Sequence, residues 1–255
     1  MLLVVDVGNT HTVVGLYDGE RLAHDFRIET SRDRTTDEFH VLLASLLQIV
    51  GIERSGVRAS ILASVVPAVT DVVVEAIDRA FDLETLVVAP GIKTGIRLHY
   101  DNPKEVGADR IVNAVAAFER VKGAVIVVDF GTATTFDCIS ATGDYLGGAI
   151  APGMVISASA LFSRAARLPF AEIARPPKAI GRNTVHSMQS GIVYGYVGLV
   201  DGMVARLKKE MQGEVSVLAT GGLASLIEPD SETIESIDEY LTLDGLRLLW
   251  QRNQS

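Results

Sequence analysis

Cysteine is nearly absent: Cys138 is the only one in 255 residues. One thiol excludes a disulfide framework within the chain and any cysteine-rich zinc site. A reducing cytoplasm is then the default compartment. Positive charge is also scarce, with 23 Lys+Arg against 32 Asp+Glu and a formal net charge of -9. Affinity for a nucleic-acid backbone comes from many Lys/Arg contacts, so no nucleic acid is expected as a partner. No Gly-Lys dipeptide occurs, which excludes a Walker A loop. No G-x-G-x-x-G follows the first apolar run, and no H-E-x-x-H occurs. His11, His24, His40, His99 and His186 show no zinc-site spacing. The N-terminus lacks a basic region and reaches Asp6 after five residues, so it reads as a strand rather than a signal peptide. Residues 145–163 are nineteen residues without a charge, but Gly147, Gly148 and the turn-forming Pro152-Gly153 argue against a membrane span.

What is present is the composition of a globular protein, 48% hydrophobic and 22% charged. Residues 2–6 form a short β-branched run that reads as a buried strand. Gly8, Asn9 and Thr10 break it, and a second strand follows over 12–17, ending at the hairpin signal Asp18-Gly19. Helical spacing of apolar residues marks 36–50, 71–81 and 106–121; strands are expected over 21–28, 59–66 and 85–88. The opening pattern then returns. Aligning residues 4–13 with 127–136 gives five identities in ten positions at an offset of 123 residues. Each copy runs from a strand through a loop to a second strand and a Gly-containing turn, Asp18-Gly19 or Gly143-Asp144. This predicts two similar α/β halves, with a break near residues 120–123 and no Pro/Ser-rich linker. Residues 1–120 form the expected N-terminal half and 121–255 the C-terminal half, whose last helix is a candidate to return to the first. A helix over 187–209, a strand over 215–219 and a final helix near Trp250 complete the pattern.

Four constellations carry chemistry. In Asp6-Val7-Gly8-Asn9-Thr10-His11-Thr12 a strand ends in a carboxylate, where ligands of α/β folds bind. Gly8 permits close approach of an anion, and Asn9, Thr10 and Thr12 add hydrogen-bonding groups. Asp6 near a triphosphate would hold Mg²⁺ through water. The plainer alternative is a hairpin whose Asp and Asn form turns. Asp129-Phe130-Gly131-Thr132-Ala133-Thr134-Thr135 repeats the arrangement, and two such loops across a cleft would grip phosphates from both sides. In Gly107-Ala108-Asp109-Arg110, Asp109 is a candidate general base and Arg110 a candidate clamp for a carboxylate or phosphate. Helix capping and a solvated Arg would account for the same residues. Thr220-Gly221-Gly222 follows a strand, and its glycines would let a base or ribose lie on backbone; a plain turn fits equally well.

Seven motifs in order connect these sites: DVGNT (6–10), DNP (101–103), GADR (107–110), DFGTATT (129–135), GGAIAPG (147–153), GRNT (181–184) and ATGG (219–222). Together they resemble the type III pantothenate kinase family of the actin, sugar kinase and Hsp70 superfamily. Arg182 stands where Lys is frequent, which preserves the charge. The resemblance implies two ribonuclease H-like halves (the actin-like ATPase fold) with a central cleft. It implies ATP-dependent phosphorylation of pantothenate to 4'-phosphopantothenate, the first step toward coenzyme A. By position, Asp6, Val7, Gly8, Asn9, Thr10, His11, Thr12 and Val13 are implied to bind ATP phosphates, with Asp6 near Mg²⁺. Thr132 is implied to contact ATP and Asp129 to ligate K⁺ or NH₄⁺. Tyr100, Gly107, Ala108, Asp109, Arg110 and Thr184 are implied to form the pantothenate site, with Asp109 as the base. A cytoplasmic homodimer is implied, with no membrane. The alternative is a non-catalytic nucleotide-binding regulator, an accessory factor for transcription. Such a regulator could keep the ATP loops and lose the base, whereas Asp109, Tyr100 and Thr184 are all present here.

Overall fold

Strand β1 (Leu2–Val7) is buried along nearly its whole length because it is the middle of a five-stranded sheet. The computed structural model describes residues 1–165 and 168–254. From β1 the chain turns into β2 (His11–Asp18) and β3 (Arg21–Glu29), both antiparallel to their predecessors. Helix α1 (Thr36–Ile49) starts at a capping box in which Thr35 and Glu38 satisfy each other's backbone N–H groups. It buries Phe39, Leu43 and Leu47, four residues apart. Strand β4 (Ala59–Ser64) lies parallel to β1 on the side away from β2. Helix α2 (Pro67–Phe81) begins with Pro67 in the first turn, where a missing N–H is harmless. Strand β5 (Leu86–Val87) closes the order β3-β2-β1-β4-β5. Leu3, Val5 and Val7 face a core shared with α1 and α2.

Helix α3 (Ala108–Val121) leads to the second sheet: β6 (Ala124–Phe130), β7 (Ala133–Ile139) and β8 (Tyr145–Pro152). Then come α4 (Met154–Arg164), α5 (Thr184–Glu210), β9 (Val215–Thr220), the short α6 (Ala224–Ile227), β10 (Ser236–Ile237) and α7 (Leu241–Arg252). The order is β10-β9-β6-β7-β8. Strand β6 takes the place of β1: antiparallel to β7, parallel to β9, with β8 and β10 outermost. Two sheets with the same order and the same strand senses are the architectural repeat that the sequence repeat predicts. On β6, Ala124, Ile126, Val128 and Phe130 meet Val193, Tyr196, Val200 and Val204 of α5.

Two compact units result. Met1–Gly95, Asn102–Ala116 and Leu241–Ser255 form one; Ile96–Asp101 and Ala117–Tyr240 form the other. In the first, α7 lies against β1 and β4. A Cβ on Gly15 of β2 would stand 2.8 Å from Val4 Cγ2 and 3.0 Å from Leu243 Cδ1, so the glycine makes room for α7. Gly245 does the same against Val112 of α3. Among the described residues no helix is long and apolar enough to cross a membrane. The uncharged stretch over 145–163 is β8 followed by α4.

Candidate active site

Register fixes the first loop. Asp6 stands opposite Val13 and Val7 opposite Thr12, so residues 8–10 make the turn. The Gly8 N–H donates to the His11 carbonyl at 3.0 Å and closes it. Strand β3 braces one side: the Thr30 N–H donates to the Thr10 carbonyl at 2.9 Å, and the Thr12 and Thr30 hydroxyls share a 2.9 Å hydrogen bond. On the other side the Val65 N–H donates to the Val7 carbonyl at 3.0 Å. Asn9, Thr10 and His11 are exposed on this braced turn, and Asp6 and Val13 are half-buried. Because the Gly8 N–H closes the turn, the groups offered to an anion belong chiefly to its exposed neighbours.

The second loop is one residue shorter. Asp129 stands opposite Thr135 and Phe130 opposite Thr134, leaving Gly131 and Thr132 at the tip. The Gly131 N–H donates to the Ala133 carbonyl at 3.0 Å. Two other glycine turns close on this tip. A Cβ on Gly153 would stand 2.7 Å from the Gly131 carbonyl oxygen. A Cβ on Gly221, whose φ is +90°, would stand 2.6 Å from Asp129 Oδ1 and 2.7 Å from the Phe130 N. Three motifs far apart in sequence, at 129–135, 147–153 and 219–222, therefore meet around Asp129. The topology explains this, since β9 pairs with β6 and places Thr220 beside Asp129.

Asp109 lies in the first turn of α3, where the helix dipole favours a negative charge. Its Oδ1 accepts the Arg110 N–H at 2.8 Å. A Cβ on Gly107 would stand 2.5 Å from the same oxygen, so glycine is required for the carboxylate to sit there. Burial pushes the Asp109 carboxyl above its ordinary value; the Arg110 N–H and charge pull the other way without cancelling the effect. Arg110 is buried, at 7% exposure, which removes the reading of it as a solvated surface charge.

Tyr100 and Thr184 lie in the unit that carries β6. The Tyr100 ring centroid is 6.4 Å from that of Tyr145, with the planes tilted by 47°. Thr184 is the first residue of α5, after Asn183, whose side chain accepts the His186 N–H at 2.8 Å as a helix cap. Thr184 helps to line a cavity of about 450 Å³ with Ser157, Leu161, Ser187, Ile192 and Tyr196. Tyr145 and the buried Asp137 behind it escape sequence reasoning. Neither belongs to a loop motif, and a strand Tyr and Asp carry no spacing signal. Among the described residues no group of three or more His, Cys, Asp and Glu is placed to hold a metal.

A family model described as type III pantothenate kinase matches residues 2–206. A protein of Geobacter sulfurreducens named type III pantothenate kinase is 57% identical over 254 residues, covering the whole of both chains. Among solved structures, a Campylobacter jejuni chain described as a conserved Baf family transcriptional activator aligns over 99% of this chain and 98% of its own. Its TM-score is 0.60 at 16% identity. An Arthrobacter inorganic polyphosphate/ATP-glucomannokinase aligns over 98% of both chains, with a TM-score of 0.51 at 13% identity. These two likenesses establish the fold alone, one that this chain shares with the glucomannokinase.

Proposed function

The chain belongs to the type III pantothenate kinase family, and on that premise we propose that it transfers the γ-phosphoryl group of ATP to the primary hydroxyl of pantothenate. The product is 4'-phosphopantothenate, and the reaction is the first step of coenzyme A biosynthesis. The observation that carries this reading is Asp109: a half-buried carboxylate at a helix start, its carboxyl pushed up by burial and fixed by the Arg110 N–H.

The proton of an alcohol leaves late in phosphoryl transfer, so the base need only be well placed and sufficiently basic. Burial supplies basicity and the Arg110 N–H supplies placement. Arg110 offers a cationic group to the pantothenate carboxylate, and Tyr100, Gly107, Ala108 and Thr184 complete the substrate site. Residues Asp6 to Val13 receive the ATP phosphates, and Thr132 contacts ATP as well. Mg²⁺ is ordinarily held by one or two carboxylates together with substrate phosphates. Asp6, a single half-buried carboxylate beside an exposed turn, fits that donor set. When bound, Mg²⁺ would neutralise charge on the phosphates. Asp129 fits a second, weakly hydrated cation, K⁺ or NH₄⁺: its Oδ1 lies among the backbone turns of Gly131 and Gly221.

The enzyme is proposed to be a cytoplasmic homodimer. The open face of α5 supports this: a Cβ added at Gly191, Gly195 or Gly198 meets nothing within 4 Å among the described residues. A purely regulatory nucleotide-binding role would leave the half-buried Asp109 without a use. A screen of ATP consumption against pantothenate and other primary alcohols, sugars included, separates the readings. Consumption with pantothenate alone supports this one. Preference for another alcohol overturns the substrate, and no consumption at all overturns the activity.

A further inference from the structure

Residues 96–101 run as a strap along the start of β8, and Tyr145 is what they are tied to. The Tyr145 N–H donates to the Arg97 carbonyl and the His99 N–H to the Tyr145 carbonyl, both at 2.8 Å, around a parallel bridge to Leu98. His99 Nε2 lies 3.6 Å from Asp144. The Tyr145 ring, fully buried, forms the surface against which the Tyr100 ring lies. Gly147 flanks it: a Cβ there would be in ordinary contact with Tyr100 at 3.7 Å.

The Tyr145 hydroxyl does not reach solvent. It donates to Asp137 Oδ1 at 2.8 Å. Asp137 is 0% exposed, in the middle of β7 between Val127 of β6 and Gly148 of β8. The Thr135 hydroxyl donates to its Oδ2 at 3.3 Å. A carboxylate at the centre of a sheet is expensive to desolvate. The sheet does not need it, because backbone groups make the ladder and apolar side chains would fill the same space. What the hydroxyl–carboxylate bond does fix is the depth and rotation of the Tyr145 ring, and with them the strap and the Tyr100 ring.

We propose that Asp137 and Tyr145 are positioning residues for the alcohol substrate, the buried carboxylate holding the Tyr145 phenol and Tyr145 holding Tyr100 in the receptive conformation. This rests on the reading of Tyr100 as a pantothenate contact. Neither residue touches substrate; both act through Tyr100.

Steady-state kinetics of the full chain tests it. Tyr145→Phe should raise the pantothenate KM roughly five- to tenfold, the range expected for losing a typical net hydrogen bond. kcat and the ATP KM should stay within about twofold, because the binding that is weakened is common to the ground state and the transition state. Asp137→Asn keeps an acceptor for the phenol and should retain most of the affinity. Tyr145→Phe combined with Asp137→Val removes both ends of the phenol–carboxylate bond, leaves the half-buried Thr135 hydroxyl as the group that must find another partner, and keeps the test open if the single variant folds poorly; it should show the same KM effect. In a Tyr100→Ala background, Tyr145→Phe should add less than about twofold, since the two changes break one chain of contacts. An unchanged pantothenate KM in Tyr145→Phe, with a raised one in Tyr100→Ala, overturns the proposal and leaves the reading of Tyr100 standing. Equal effects of Tyr145→Phe with and without Tyr100 also overturn it. An unchanged KM in Tyr100→Ala overturns both.

Discussion

Gly221 closes directly over Asp129: it turns with a φ of +90° at a point where an added Cβ would lie 2.6 Å from the Asp129 Oδ1. Thr220 is the residue paired with Asp129 across the β6–β9 ladder, so the turn falls on the carboxylate by register. Gly221→Ala should therefore strain the backbone and displace Asp129 together. A stability loss of about 2 kcal/mol or more is expected from an L-residue at such a φ with a steric clash. Thermal unfolding checks the loss. At temperatures where the variant is folded, activity should still be reduced, because the clash lies at the proposed cation site. Wild-type stability in Gly221→Ala would show that the turn can open.

Asp129 should make activity depend on a monovalent cation. The proposed cation site at Asp129 is a strand-end carboxylate whose charge a monovalent cation would offset. No Lys or Arg lies between residues 129 and 137 to do so. Activity should rise from near zero as K⁺ replaces Na⁺ at constant ionic strength, and Asp129→Ala should lose that response. Equal activity in the two salts would leave Asp129 as loop architecture.

Asp109→Asn separates function from stability. Turnover should fall ~10²–10⁴-fold, the usual cost of losing a general base, with ATP binding retained. Stability should not fall with it. The folded Asp109 carboxyl sits above its ordinary value, so its favourable contribution is complete below the unfolded pKa and is lost as pH rises through the folded pKa. At neutral pH the ionised group opposes folding, and the neutral amide should unfold at an equal or higher temperature. That advantage should shrink in acid, where the wild-type carboxyl is protonated. The same shift places the acid limb of wild-type activity above the ordinary carboxylate value of 3.8. A melting temperature clearly below wild type at pH 7 would contradict the burial argument.

Thr12 and Thr134 occupy equivalent positions, each paired with the last residue of the central strand of its sheet. The Thr12 hydroxyl bonds Thr30, whereas Thr134 Oγ1 is buried with no hydrogen-bond partner among the described residues. Thr12→Val should destabilise by about 1 kcal/mol, a typical net hydrogen bond. Thr134→Val should be neutral or stabilising, because it removes a buried unpaired group. Paired denaturant titrations decide; equal losses in both would refute the distinction.

The open face of α5 gives a further prediction. A Cβ on the exposed Gly195 meets nothing within 4 Å among the described residues, and leucine improves helix propensity, so in Gly195→Leu the protomer should fold at least as well as wild type. If α5 forms the dimer contact, sedimentation should show monomers. An intact dimer would place the interface elsewhere.

Much of this arrangement is legible in the sequence, and the limits have physical causes. The repeat of Val-Val-Asp and Gly correctly pairs β1 with β6 and predicts two like sheets. It misaligns the second strands, because the loop at Gly131 is one residue shorter than that at Gly8. The identity of Thr12 with Thr135 is therefore accidental in register, and Thr134 is the true counterpart. Helix α2 starts at Pro67, where the sequence suggested Asp71, since Pro67 can begin a helix as well as end a strand. Strand β8 was hidden by Gly147, Gly148 and Pro152. These residues are tolerated because β8 is outermost in the sheet order and Gly147 adopts a φ of +111° at an irregular pairing. The convergence of Gly153 and Gly221 on the loop of Asp129 was invisible, because it depends on which strands become neighbours. Asp137 was missed for the same reason: a carboxylate in an alternating strand reads as solvent-facing until β8 covers it.

The most direct test of the central claim is identification of the product. The purified chain, supplied with ATP, Mg²⁺, K⁺ and pantothenate, is followed by phosphorus NMR and mass spectrometry. The account predicts stoichiometric ADP and a single phosphomonoester on the primary hydroxyl of pantothenate, absent with Asp109→Asn over the same time. ADP with free phosphate and unmodified pantothenate, or no turnover with a folded ATP-binding chain, would contradict it.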